Sequence, residues 1–157
     1  MRQGRPGCER ALNPWVAALL VLCGDQASKW LVQQSLQLGQ SIPVLSPVLH
    51  LTYVQNTGAA FGMLRGHAPL FVLLSVAVAV WIVAELRKPD GHGRLTLLSL
   101  SLILGGALGN VIDRLRLGYV VDFIDLRVWP VFNIADSAIT IGVSLLLWQS
   151  FFSSNRS

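Results

Sequence analysis

Three stretches of this chain, 68–86, 95–112 and 134–152, are nearly continuous apolar runs, and a fourth, about 12–32, is apolar apart from Asp25 and Lys29. Each is long enough, at 1.5 Å per residue, to cross roughly 30 Å of hydrocarbon. Backbone polar groups find no water in a bilayer, so a crossing segment must bond to itself, and four transmembrane helices are expected. Of 157 residues, 53% are hydrophobic and only 13% are charged, which excludes an ordinary soluble domain. The spans occupy roughly half the chain. That predicts a single membrane domain at 12–152, between a basic tail at 1–11 and a short tail at 153–157.

Arg2, Arg5 and Arg10 precede the first span, so a cleaved signal peptide has to be weighed. Leu22-Cys23-Gly24-Asp25 offers no small-x-small cleavage site, and Leu22 before Cys23 fails as a lipoprotein attachment box. The segment is read as a retained helix. Cys8 in the tail and Cys23 in the first span are too far apart for an expected disulfide. The net charge of +4 is scattered over tails and loops rather than gathered in a patch, so nucleic acid is not an expected partner. Those charges orient the chain instead. Arg2, Arg5, Arg10, Arg87, Lys88, Arg94 and Arg156 fall on one side, against the sparser Arg65, Arg114, Arg116 and Arg127 on the other, which predicts both termini in the cytoplasm.

With that topology the polar residues collect near the outer ends of the helices. Asp25, Gln26 and Lys29 lie late in the first helix, and Asn110, Asp113 and Arg114 end the third. Asp122 and Asp125 follow in a loop, and Asn133 and Asp136 open the fourth helix. A charge in hydrocarbon costs at least about 2.5 kcal/mol on insertion scales, so such a gathering needs a reason. In the long connection 33–67, His50-Leu51-Thr52-Tyr53-Val54-Gln55 is β-prone and Asn56-Thr57-Gly58 signals a turn. A small extracytoplasmic β-sheet is expected there, with an amphipathic loop at Phe61, Met63, Leu64 and Arg65 suited to the headgroup region. Val120-Val121-Asp122-Phe123-Ile124-Asp125 sets carboxylates among β-branched and aromatic neighbours.

Each constellation has an ordinary reading as well as a chemical one. Asp25 and Lys29, four apart on a helix, share a face and can neutralise one another. Ser28 and Lys29 point about 100° apart, which argues against a Ser-Lys nucleophile. His50, His67 and His92 lack metalloprotease spacing, and no metal or cofactor is expected. Gly105, Gly106, Ala107 and Gly109 allow close helix approach. Arg114 could snorkel, or hold a carboxylate or a substrate carbonyl. Asp136 could cap its helix and Asp122 could be solvated in its loop. Together they suggest more, because two carboxylates in a low-dielectric site cannot both ionise easily. One then holds a proton while the other can take one from water.

Five segments in order, Asp25-Gln26-Ala27-Ser28-Lys29, Asn56-Thr57-Gly58-Ala59-Ala60-Phe61-Gly62, Gly105-Gly106-Ala107-Leu108-Gly109-Asn110-Val111-Ile112-Asp113-Arg114, Val121-Asp122-Phe123-Ile124-Asp125 and Phe132-Asn133-Ile134-Ala135-Asp136, resemble the lipoprotein signal peptidase family, signal peptidase II. Ser28 stands where that family often has threonine, and the first ten residues are unmatched. The resemblance implies a bacterial inner-membrane aspartic peptidase that cleaves diacylglyceryl-modified prolipoproteins just before the lipidated cysteine, on the outer side. It implies Asp122 and Asp136 as the catalytic pair. It matches Asp25, Asn56, Asn110, Arg114 and Asn133 to positions that shape the site or contact substrate, while Lys29 is paired with Asp25. Gly58, Asp113 and Ala135 lie inside the motifs. Membrane lipid is the other expected partner, and a monomer the expected state. The competing class is a small proton-coupled transporter or channel, which would need carboxylates at the midplane and access from both sides. A purely structural subunit would tolerate loss of either aspartate.

Overall fold

The long helix α3 (Arg94–Leu117) is the axis on which the molecule is assembled, and its composition explains why. The computed structural model describes residues 13–58, 68–88 and 92–153. The amphipathic loop expected around Phe61, the basic N-terminal tail with Cys8, and Arg156 lie outside these. Around α3 stand α1 (Pro14–Ser35), α2 (Ala68–Leu86) and α4 (Ile134–Ser153). All four helices are long and apolar enough to cross a membrane.

Close approach depends on the small residues. A Cβ on Gly106 would stand 2.5 Å from the Ala135 carbonyl oxygen of α4, and one on Gly109 would stand 2.5 Å from Asp25 Oδ2 of α1. Neither backbone can come this near to anything larger than glycine. Gly106→Ala is therefore expected to force α4 away and to cost about 1–3 kcal/mol. Gly24→Ala, on an open face of α1, should be neutral or slightly stabilising. Thermal unfolding of the two variants in detergent checks the contrast.

Ile82, Leu100, Leu104 and Ala18 fill the bundle interior toward one end. The outward faces of α1, α2 and α4 expose residues such as Leu20, Leu73, Val80 and Phe151, the reverse of a soluble protein and the arrangement lipid requires. Asn13 starts α1 by accepting from the Trp15 and Val16 N–H groups, and Pro14 takes the first helical position. Gly118, at φ 81°, stops α3 in the left-handed region and turns the chain back over it.

That turn leads into β3 (Val120–Asp125), which completes an antiparallel sheet in the order β1-β2-β3 with β1 (Ser41–Leu45) and β2 (Leu49–Asn56). The register sets Val54 against Asp122 and Asn56 against Val120. Val121 and Phe123 of β3 pack with Tyr53, Val32 and Leu36, seating the sheet on the end of α1. The four spans and the sheet match expectation. β1 was not foreseen because Pro43 interrupts it; as the edge strand it has room for a residue with no N–H to donate.

Candidate active site

Asn133 caps α4 and, with the same side chain, links two aspartates that the chain holds on different elements. Its Oδ1 accepts from the Asp136 N–H at 2.8 Å, and its own N–H points back at Asp136 Oδ2 at 3.4 Å, the reciprocal pattern of a capping box. Its Nδ2 donates to Asp122 Oδ1 at 2.7 Å, and also to Val121 O and Asn110 Oδ1, each at 3.2 Å. The Asn133 side chain is fully buried, so this geometry is fixed.

The remaining partners complete a frame around the pair. Asn56 Nδ2, from the end of β2, donates to Asp122 Oδ2 at 2.9 Å. Asn110 Nδ2, from α3, donates to Asp136 Oδ1 at 2.8 Å. Both aspartates line one cavity of about 330 Å³, together with Asn56, Asn110, Arg114 and Phe71. Arg114 is half-buried, lies 5.2 Å over the Phe71 ring, donates to Gly58 O at 3.5 Å and feels the charges of Asp136 and Asp122. Burial first, and then the neighbouring Asp136 carboxylate, push the Asp122 carboxyl up to about 7. Such a group holds a proton near neutral pH, whereas an ordinary aspartate does not.

Behind the pair lies a second, fully enclosed cluster. Lys29 Nζ stands 2.8 Å from Asp25 Oδ2, 2.9 Å from Asp113 Oδ2 and 2.9 Å from Asn110 Oδ1. An ammonium can only donate, so the Asn110 oxygen must face Lys29 and its amide nitrogen must face Asp136. Asp25 Oδ1 accepts the Ala135 N–H at 2.9 Å and Asp113 Oδ2 accepts the Val121 N–H at 3.1 Å, tying α1 to α4 and α3 to β3. Gln26 adds bonds to Asp113 Oδ1 and Gly109 O. Ser28 instead bonds back to Asp25 O at 2.8 Å, away from Lys29. Asp125, in the same strand as Asp122, is engaged elsewhere. Burial works against its charge, but hydrogen bonds from Thr52 and the Arg127 N–H outweigh it and hold that carboxyl below the usual range.

Every residue proposed for the site from sequence thus falls in one connected assembly: Asp122, Asp136, Asn56 and Arg114 on the cavity, Asn110 and Asn133 between, Asp25 and Lys29 behind. Asp122 and Asp136 themselves sit at the sheet end of the bundle, on β3 and the first turn of α4, which does not suit ion passage. Among the described residues, no three His, Cys, Asp or Glu side chains are grouped to hold a metal ion. Phe71, Trp129 and Thr140 also line the cavity. Nothing in the sequence marked them, since each sits in an apolar run or loop and meets the aspartates only through the fold. A neighbouring apolar groove of about 400 Å³, at Trp129, Phe132, Ser137 and Ile141, shares Asp136 with the cavity.

A family model described as signal peptidase (SPase) II matches residues 17–152. The chain is 55% identical over 132 residues to a lipoprotein signal peptidase of Moorella thermoacetica, covering 84% of this chain and 88% of that one. It is 42% identical over 146 residues to the lipoprotein signal peptidase of Bacillus subtilis, covering 90% and 95%. A bacterial membrane enzyme solved by the in meso method at 2.3 Å superposes with a TM-score of 0.86 at 34% identity, covering 92% of this chain and 91% of that one.

Proposed function

The chain belongs to the signal peptidase II family, and on that premise we propose that Asp122 and Asp136 are the residues with which it cuts. It is an aspartic endopeptidase of the membrane, acting on prolipoproteins to remove their signal peptides. The observation that carries the assignment of the pair is the shared cavity, in which the buried Asn133 side chain holds the Asp122 carboxylate and caps the helix at the Asp136 N–H, Asn110 holds the Asp136 carboxylate, and Asp122 keeps its proton to about pH 7.

In this reading Asp136, as carboxylate, takes a proton from the water that attacks the scissile carbonyl carbon, while protonated Asp122 gives its proton to the carbonyl oxygen. Collapse of the tetrahedral diol breaks the C–N bond. Asp136 then passes its proton to the departing amine of the cysteine, and Asp122 recovers one from the diol hydroxyl, so the pair ends as it began. Arg114 faces the carbonyl oxygen and the peptide, Asn56 steadies Asp122 from the sheet side, and Asn110 and Asn133 hold the geometry. Lys29 and Asp25 shape the site from behind. The scissile bond is the one before a diacylglyceryl-modified cysteine, and the acyl chains stay in membrane lipid beside the cavity. The protein sits as a monomer in the bacterial inner membrane with both termini in the cytoplasm, the distribution of Lys and Arg being the support for that orientation.

The purified protein should cut a prolipoprotein peptide only when its cysteine carries the diacylglyceryl group; equal cutting of the unmodified peptide would contradict this substrate reading. The rate should fall about tenfold per unit as pH rises above about 7, because Asp122 then loses the proton it must donate. Stability follows the same group. Its folded value lies above the unfolded one near 3.8, so its contribution is complete below about pH 4 and is lost as pH rises to about 7, on the order of 4 kcal/mol in all. Asp122→Asn should remove that part of the pH dependence, as read from unfolding midpoints between pH 4 and 8.

A further inference from the structure

Away from the carboxylates, α1, α2 and α3 leave an apolar groove of about 560 Å³ between them. Its mouth lies at Trp15, in the first turn of α1, and at Arg87, one residue beyond the end of α2. Its deep end lies at Leu22, Val76 and Leu108, near mid-height. From Val76 to Arg87 a helix advances about 16 Å, close to half of a hydrocarbon slab of about 30 Å. The groove is therefore one leaflet deep, and the leaflet is the one opposite Asp122 and Asp136. α2 packs chiefly against α3, so an occupant between α1 and α2 would complete the bundle.

Among the described residues Arg87 is the one charged side chain that lines the groove, and it is exposed at the mouth. Glu85, on the same turn, is already engaged by Lys88 at 2.6 Å. An apolar slot of this depth, capped by a cation and flanked by an indole at headgroup height, matches a lipid with one chain buried and an anionic phosphate at the surface. We propose that this groove seats one acyl chain of an anionic phospholipid whose phosphate meets Arg87. The site is separate from the peptidase centre and does not rest on its assignment.

The test uses the full-length protein in micelles with equal amounts of phosphatidylglycerol and phosphatidylcholine of identical chains, and native mass spectrometry to read what stays bound. One lipid should be retained, with phosphatidylglycerol favoured about fivefold, the effect of a single cation at a lipid surface. Arg87→Gln should erase the preference. Ala84→Trp, which places bulk across the exposed part of the groove, should lower retention of both lipids, and both variants should cleave substrate at the normal rate. Equal retention of the two lipids by the unaltered protein overturns the proposal. So does a preference that survives Arg87→Gln, retention untouched by Ala84→Trp, or a peptide or second copy of the chain bound in place of lipid.

Discussion

Asparagine in place of Asp122 or of Asp136 is expected to slow prolipoprotein cleavage about 10⁴-fold while the protein stays folded. The substitution keeps shape and most hydrogen bonds. An asparagine carbonyl at 122 can still accept from Asn133, and one at 136 can still accept from Asn110. What it removes is the capacity to give and take a proton, on which both steps of the proposed reaction depend. Asp125→Asn supplies the control, since Asp125 is also buried and only three residues along the same strand. Its carboxylate faces Thr52 and Arg127 instead of the cavity, so its loss should lower stability modestly and leave the rate within about tenfold.

The second large effect is on folding. Lys29→Met should destabilise the protein by about 3–5 kcal/mol, because it leaves Asp25 and Asp113 buried without the cation between them. The variant should fail to accumulate in membranes. Adding Asp25→Asn and Asp113→Asn removes the uncompensated charge and should restore accumulation. The restored variant should still cleave slowly, since Asn110 has lost the shorter of the two donors that aim its amide at Asp136. Lys29→Met accumulating as well as the unaltered protein would show that the cluster is not what holds the helices.

Hydropathy located the four spans, and although the third apolar run ends at residue 112, the helix carries on through Asp113 and Arg114, read from the sequence as its end, to Leu117. The reason is physical: Asn110 and Asp113 continue the helix because they face Lys29 and Gln26 rather than lipid. The Asp25–Lys29 pair was legible from its spacing of four, since neighbours on a helix face are set by local geometry alone. Its third and fourth partners, Asp113 and Asn110, were not, because they come from another helix. The resemblance named Asn133, but its double task was hidden. It depends on Gly118 turning β3 back so that Asp122 arrives beside the cap of α4. Phe71 was hidden for the same reason, being an ordinary residue of an apolar run until α2 lays it beneath Arg114.

The proposed action of Asp122 and Asp136 as one unit on an attacking water has a direct kinetic signature. Single-turnover cleavage of a diacylglyceryl-modified prolipoprotein by Asp122→Asn, Asp136→Asn and the double variant, in vesicles, tests it most directly. If the pair is one unit, each single variant loses about 10⁴-fold and the double variant is no slower than either. Losses that multiply in the double variant, or a single variant within tenfold of the unaltered protein, would contradict it.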